Sequence, residues 1–291
     1  YYVDKIHARD AWDICKGDTN MVIGISDTGF EIFHDELVNK IYYNRFDSIN
    51  GIDDDNDGYI DNFRGWNLAK NTNDPTNTKD NHGTRVAGCC IAQANNQKGI
   101  AGIGYNCRFI PVRITNDLGF NVFDYESIVY LADHGAKVIN CSWGGFQYQK
   151  FGQDVVNYAT INKDVVVIAS AGNFKNTQPV YPAAYENVVS VAGTTSLDQF
   201  WTPENGASTG GSTYGTSVDL SAPAVQIQTL DQNNGYVKGW VGTSYSAPIV
   251  SGAAGLLRSH FPSYNAQQIC EQLRVTTDNI DTIPYTAPYK K

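Results

Sequence analysis

The chain has 291 residues, 42% of them hydrophobic, which is enough apolar side chain for one core in a single α/β domain spanning residues 1–291. Asp and Glu outnumber Lys and Arg by 30 to 21, and an acidic surface repels polyphosphate, so nucleic acid is not expected as a partner. No stretch reaches the roughly 20 apolar residues of a membrane-crossing helix, so a soluble chain without a membrane partner is expected.

The chain opens at Tyr1 with neither an initiator Met nor a charged-then-apolar leader, so any signal or pro-segment is expected to lie outside it. The first predicted strand, "MVIGIS" (Met21 to Ser26), runs into "SDTGF" and puts Asp27 at a strand end beside the turn residue Gly29. Taken alone, such an Asp is a cap or turn former.

Next comes an Asn- and Asp-rich segment, Asp47 to Asn81, which reads as a long irregular insertion. Inside it "GIDDDNDGYIDN" reads D-x-D-x-D-G from Asp53 to Gly58. Alternating carboxylates on a Gly turn converge on one point, as a hard cation requires. The expected ligands of a structural calcium ion (Ca2+) are the side chains of Asp53, Asp55, Asp57 and Asp61 with the carbonyl of Tyr59. An EF-hand would need Glu where Arg64 stands.

His82 opens a predicted helix, "HGTRVAGCCIAQA", and is followed by the strand "RFIPVRIT", the loop "NDLGFNV" (Asn116 to Val122) and the helix "FDYESIVYLADHG". The strand "KVINCSW", the helix "GQDVVNYATINK", the strand "DVVVIASA" with its turn "ASAGNF", and the strand "NVVSVAGT" come next. Last, "VKGWVGTSYSAPIVSGAAGLL" sets Ser244 at the start of a small-residue helix, with Pro248 read as lying within its first turn or so, where a missing N–H costs little. A serine there faces backbone N–H groups and a helix dipole that favour developing negative charge.

Near-continuous apolar strands alternating with helices predict an α/β fold: a mostly parallel twisted sheet flanked by helices on both faces. In such sheets function collects at the carboxyl ends of the strands. Six cysteines (Cys15, Cys89, Cys90, Cys107, Cys141 and Cys270) show no CxxC pairing; buried thiols and one or more disulfides both fit, and Cys90 and Cys107 flank one loop that a bridge could close.

Asp, His, Asn and Ser, each in a glycine-bearing loop of one predicted sheet, resemble the subtilisin-like serine proteases (subtilases). "SDTGF" is similar to that family's Asp block, "NHGTRVAG" to its His block and "GTSYSAP" to its Ser block, with "NCSWGG", "SAGN" and "YPAAYENVVSVAGT" at matching intervals. The resemblance implies an endopeptidase with Asp27, His82 and Ser244 as catalytic triad and Asn173 with the Ser244 N–H as oxyanion hole. It departs from the family at Arg85 and Tyr245, where altered local packing rather than lost activity is expected.

The resemblance also implies a first specificity pocket walled by Ser142, Trp143 and Gly144 and by the turn at Gly172, with Val180 as its floor. A side chain there instead of glycine predicts a preference for small or medium apolar residues at the cleaved position (P1). "NDLGFNV", with Leu118 and Gly119, would be the edge strand that pairs with an extended polypeptide substrate. A second calcium site would draw on Glu36, Asn96 and the carbonyls of Ala94, Lys98 and Ile100. Secretion or a cell-envelope location, an N-terminal pro-segment or protein inhibitor as partner, and a monomeric state are further expectations. An idle relative used for binding is disfavoured by the intact blocks. An α/β-hydrolase esterase is disfavoured because it wants G-x-S-x-G with its serine first in the chain.

Overall fold

The computed structural model describes residues 1–77, 79–206 and 209–280. In chain order the elements are α1 (Tyr2–Lys5), α2 (Ala8–Ile14), β1 (Val22–Asp27), β2 (Trp66–Asn67), α3 (His82–Ile91), β3 (Arg108–Arg113), α4 (Asp124–Asp133) and β4 (Val138–Cys141). They continue with α5 (Lys150–Asn157), β5 (Val166–Ser170), β6 (Val188–Thr194), α6 (Pro203–Gly206), β7 (Leu220–Pro223), β8 (Ile227–Asp231), β9 (Gly235–Trp240), α7 (Thr243–His260) and α8 (Ala266–Val275).

Seven strands form one parallel sheet in the order β2-β3-β1-β4-β5-β6-β7. Its strands are buried along nearly their whole length because helices cover both faces. Ile23, Ile25, Val166 and Ile168 pack with Val86 of α3 and Ile249 of α7, whereas Val22, Val167 and Ala169 turn the opposite way onto Ile128, Leu131 and Val156. Each such Val, Leu or Ile contributes about 1.5–3 kcal/mol when fully buried.

The sheet order reverses at β1: the chain passes to β3 on one side and then crosses to β4 on the other. A crevice therefore opens at the carboxyl end of β1, which is where Asp27 sits.

The insertion is less irregular than its composition predicts, since Trp66 and Asn67 pair with Val112 and Arg113 to give the sheet its edge strand β2. Asn116–Val122 corrects the expectation of a strand. The Asn116 side chain accepts the N–H groups of Leu118 and Phe120 at 3.0 Å each, and Gly119 takes φ +84°, so the segment folds back as a turn. The antiparallel hairpin β8–β9 was not predicted; its turn uses Asn233 and Asn234 at φ 59° and 55°. The suggested bridge is also corrected: Cys90 and Cys107 are buried free thiols, and burial pushes the Cys107 thiol up to about 11.

Candidate active site

Asp27 leaves β1 with a buried carboxylate whose Oδ1 accepts the Thr28 N–H at 2.7 Å and His82 Nδ1 at 2.7 Å. A carboxylate there can only accept, so Nδ1 carries the proton and Nε2 is left as the basic nitrogen. Helix α3 can approach this closely because residue 83 is glycine: a Cβ there would stand 2.4 Å from the Gly29 carbonyl oxygen. Burial, the largest influence on His82, favours the neutral ring. The charge and hydrogen bond of Asp27, with Asp80 behind them, outweigh burial and the opposing Arg85, so the net displacement of its pKa is upward.

Ser244 is the second residue of α7, so its N–H has no partner within the helix. Pro248 is the sixth, deeper than expected, and removes the N–H that would bond the Ser244 carbonyl. The Ser142 hydroxyl replaces it, donating to that carbonyl at 2.9 Å and joining the nucleophile's helix to the pocket wall. The Ser244 hydroxyl itself donates to the Ser142 carbonyl at 3.4 Å.

Asn173 Oδ1 accepts the Thr243 N–H at 2.9 Å and the Thr243 hydroxyl at 2.8 Å. The backbone N–H can only donate, which fixes the amide orientation and leaves Nδ2 as the free donor beside the serine turn. Thus the structure brings together all four residues singled out by the sequence. A cleft of about 410 Å³ runs past Asp27, His82, Ser142, Trp143 and Tyr245.

The two expected pocket walls face each other across Val180. A Cβ on Gly144 would meet one Val180 methyl at 2.6 Å, and a Cβ on Gly172 the other at 2.9 Å. Gly145 and Tyr181 exchange backbone hydrogen bonds of 2.9 and 2.8 Å, and the Trp143 indole donates to the Ser26 hydroxyl at 2.9 Å, which anchors that wall to β1. No motif in the sequence points to Phe146 and Phe174. Each follows one wall, and their ring centroids lie 4.6 Å apart. Leu118 and Gly119 lie on the exposed turn.

Of the expected calcium ligands, Asp53 and Asp55 converge, but their third partner is Asp47: one oxygen from each of the three lies within 4.8 Å of the others. Asp55 Oδ1 is buried without a partner among the described residues, so this trio fits a hard cation. Asp57 instead accepts from His134 and from Asn62 at 2.7 Å each, and Asp61 accepts the N–H groups of Asn50 and Gly51; Tyr59 packs its ring on Tyr130 and Trp66. Of the residues implied for a second ion, Glu36 accepts from Asn96 at 2.8 Å and from Tyr236 at 2.6 Å, and Asn96 Oδ1 accepts the Lys98 N–H. Ala94 and Ile100 flank that loop.

A histidine held by a buried aspartate, a serine at a helix start and a fixed amide donor at the carboxyl end of a parallel sheet define a serine peptidase of the subtilisin type. The Subtilase family profile matches residues 18–285, and the chain belongs to that family as a subtilase-type serine endopeptidase. It is 36% identical to thermitase of Thermoactinomyces vulgaris over 96% of this chain and 88% of thermitase. It is 34% identical to a thermophilic serine proteinase of a Bacillus species over 93% of this chain and 59% of that protein. More distant relatives from Natrialba magadii and Xanthomonas campestris carry the word extracellular in their names. In fold, a protease from Pseudoalteromonas arctica superposes with a TM-score of 0.76 at 24% identity, covering 94% of this chain and 87% of its own.

Proposed function

We propose that the protein is a secreted endopeptidase that hydrolyses peptide bonds through an acyl-enzyme on Ser244. The Ser244 hydroxyl attacks the scissile carbonyl as His82 Nε2 takes its proton. His82 then returns the proton to the leaving amine, and water repeats the sequence on the ester. Asp27 holds the tautomer and stabilises the imidazolium. Asn173 Nδ2 and the Ser244 N–H receive the oxyanion. The observation that carries this reading is the 2.7 Å Asp27–His82 pair in a cleft also lined by Tyr245, the chain neighbour of Ser244, and by Ser142, its hydrogen-bond partner. In the substrate complex the long Ser244–Ser142 bond is exchanged for one to His82, a tightening that apo sites commonly await.

A preference for small or medium apolar P1 side chains is supported by the buried Val180 floor and by the Phe146–Phe174 pair beyond the walls. Calcium held by Asp47, Asp53 and Asp55 would neutralise their mutual repulsion and clamp the insertion against self-digestion. Secretion is supported by the extracellular relatives. The partners are polypeptide substrates and an inhibiting pro-segment, acting on a monomer. Mass spectrometry of a model protein digested by the wild type and by Ser244→Ala tests the activity: fragments from both, or from neither with both proteins folded, would sink it.

A further inference from the structure

Arg85 and Tyr245 are where the chain departs from its family, and the hairpin β8–β9 explains why they sit there. Asp231, the last residue of β8, accepts from Arg85 Nη2 at 3.0 Å and also from Asn81 Nδ2. One carboxylate thus grips α3 both before and after His82. The Arg85 guanidinium lies 3.9 Å from the centroid of the Trp240 ring at the end of β9, four residues before Ser244. Thr229 donates to the Arg85 carbonyl at 2.6 Å, and a Cβ on Gly88 would stand 2.3 Å from the Thr229 hydroxyl, so α3 and β8 are in close contact. Tyr245, 3% exposed, fills the space between, its ring centroid 6.2 Å from His82 and 6.5 Å from Trp240.

We propose that Arg85 is a positioning residue for proton transfer, registering the start of α3, which carries His82, against the hairpin that delivers Ser244. The proposal rests on the triad reading above. An ion pair at Nη2 and an aromatic ring against the guanidinium plane hold Arg85 from two sides, a combination that a lysine ammonium cannot reproduce. Because general base catalysis needs near-attack geometry, a shift of about 1 Å between base and nucleophile costs on the order of 100-fold. The charged and titratable groups facing His82 are Asp27 and Asp80, which hold its proton, Arg85, which repels it, and the buried Tyr245.

Kinetics of Arg85→Met, Arg85→Lys and Asp231→Asn on one peptide substrate test this, alongside melting temperatures and fluorophosphonate labelling of Ser244. Arg85→Met is expected to lower kcat by about 10- to 100-fold with little change in KM, and to move the acidic limb of the pH profile upward. Arg85→Lys should restore the limb but only part of kcat. Asp231→Asn, which keeps its shape, should lower kcat in the same sense and covers the case in which Arg85→Met does not fold. Folded variants with wild-type kcat and an unmoved pH limb, whatever their melting temperatures, would overturn the proposal. A folded wild type whose Ser244 never labels would instead bring down the triad reading, and the proposal with it.

Discussion

The catalytic crevice and the Asp47–Asn81 insertion both concentrate polar groups, but they hold them differently. In the crevice Asp27 and His82 are 55 residues apart, and Ser142 and Ser244 102 apart; each pair meets because the sheet and two helices bring them together. In the insertion Asp47, Asp53 and Asp61 accept N–H groups from residues no more than 15 positions away. The crevice inherits its rigidity from the core, so losing one side chain should alter chemistry more than folding. The insertion has little core of its own and crowds three carboxylates, so its order should depend on a cation.

The largest effect expected in the crevice is that of Asp27→Asn, a drop in kcat of about 10⁴ with the fold retained, because the tautomer is no longer held. In the wild type, kcat/KM should rise with pH through a midpoint above the ordinary His value of 6.5, because activity needs neutral His82 and its neighbours displace it upward. A midpoint below that value would contradict the assignment of Asp27.

Asn173→Ala should cost about 10²–10³ in kcat with the fold retained and a modestly lower melting temperature, because Thr243 loses the acceptor for its N–H and hydroxyl. Unfolding in its place would show that the crevice does not draw its rigidity from the core. Val180→Gly should raise the ratio of cleavage after Phe to cleavage after Ala by about 10-fold or more; an unchanged ratio would remove Val180 from the pocket.

In the insertion, chelation or Asp53→Asn should lower the melting temperature and speed autolysis while leaving the initial kcat unchanged. An ion present at about 100 times its Kd contributes about 2.7 kcal/mol. If chelation instead abolished kcat at once, the two regions would not be separable.

The crevice was legible in the sequence because its backbone leaves few choices. Gly29 at φ +111° and Gly83 under the Gly29 carbonyl are required by geometry, and such requirements recur as short blocks around Asp27, His82 and Ser244. Asp47 was missed as a cation partner because it precedes the D-x-D-x-D-G pattern and converges only when the loop folds. The hairpin bearing Asp231 and Trp240 carries its own local signal, the "DQNNG" turn. So does α8, whose Asn265 and Gln268 form a capping box. The Ser142–Ser244 bond and the Phe146–Phe174 pair join distant segments and had no local signature.

The most direct test of the triad is fluorophosphonate labelling of the folded protein, with the modified peptide identified by mass spectrometry. One adduct on Ser244, lost in Ser244→Ala and nearly lost in His82→Ala while both variants stay folded, is the result predicted. A folded wild type that takes no label, or takes it at another residue, would contradict the account.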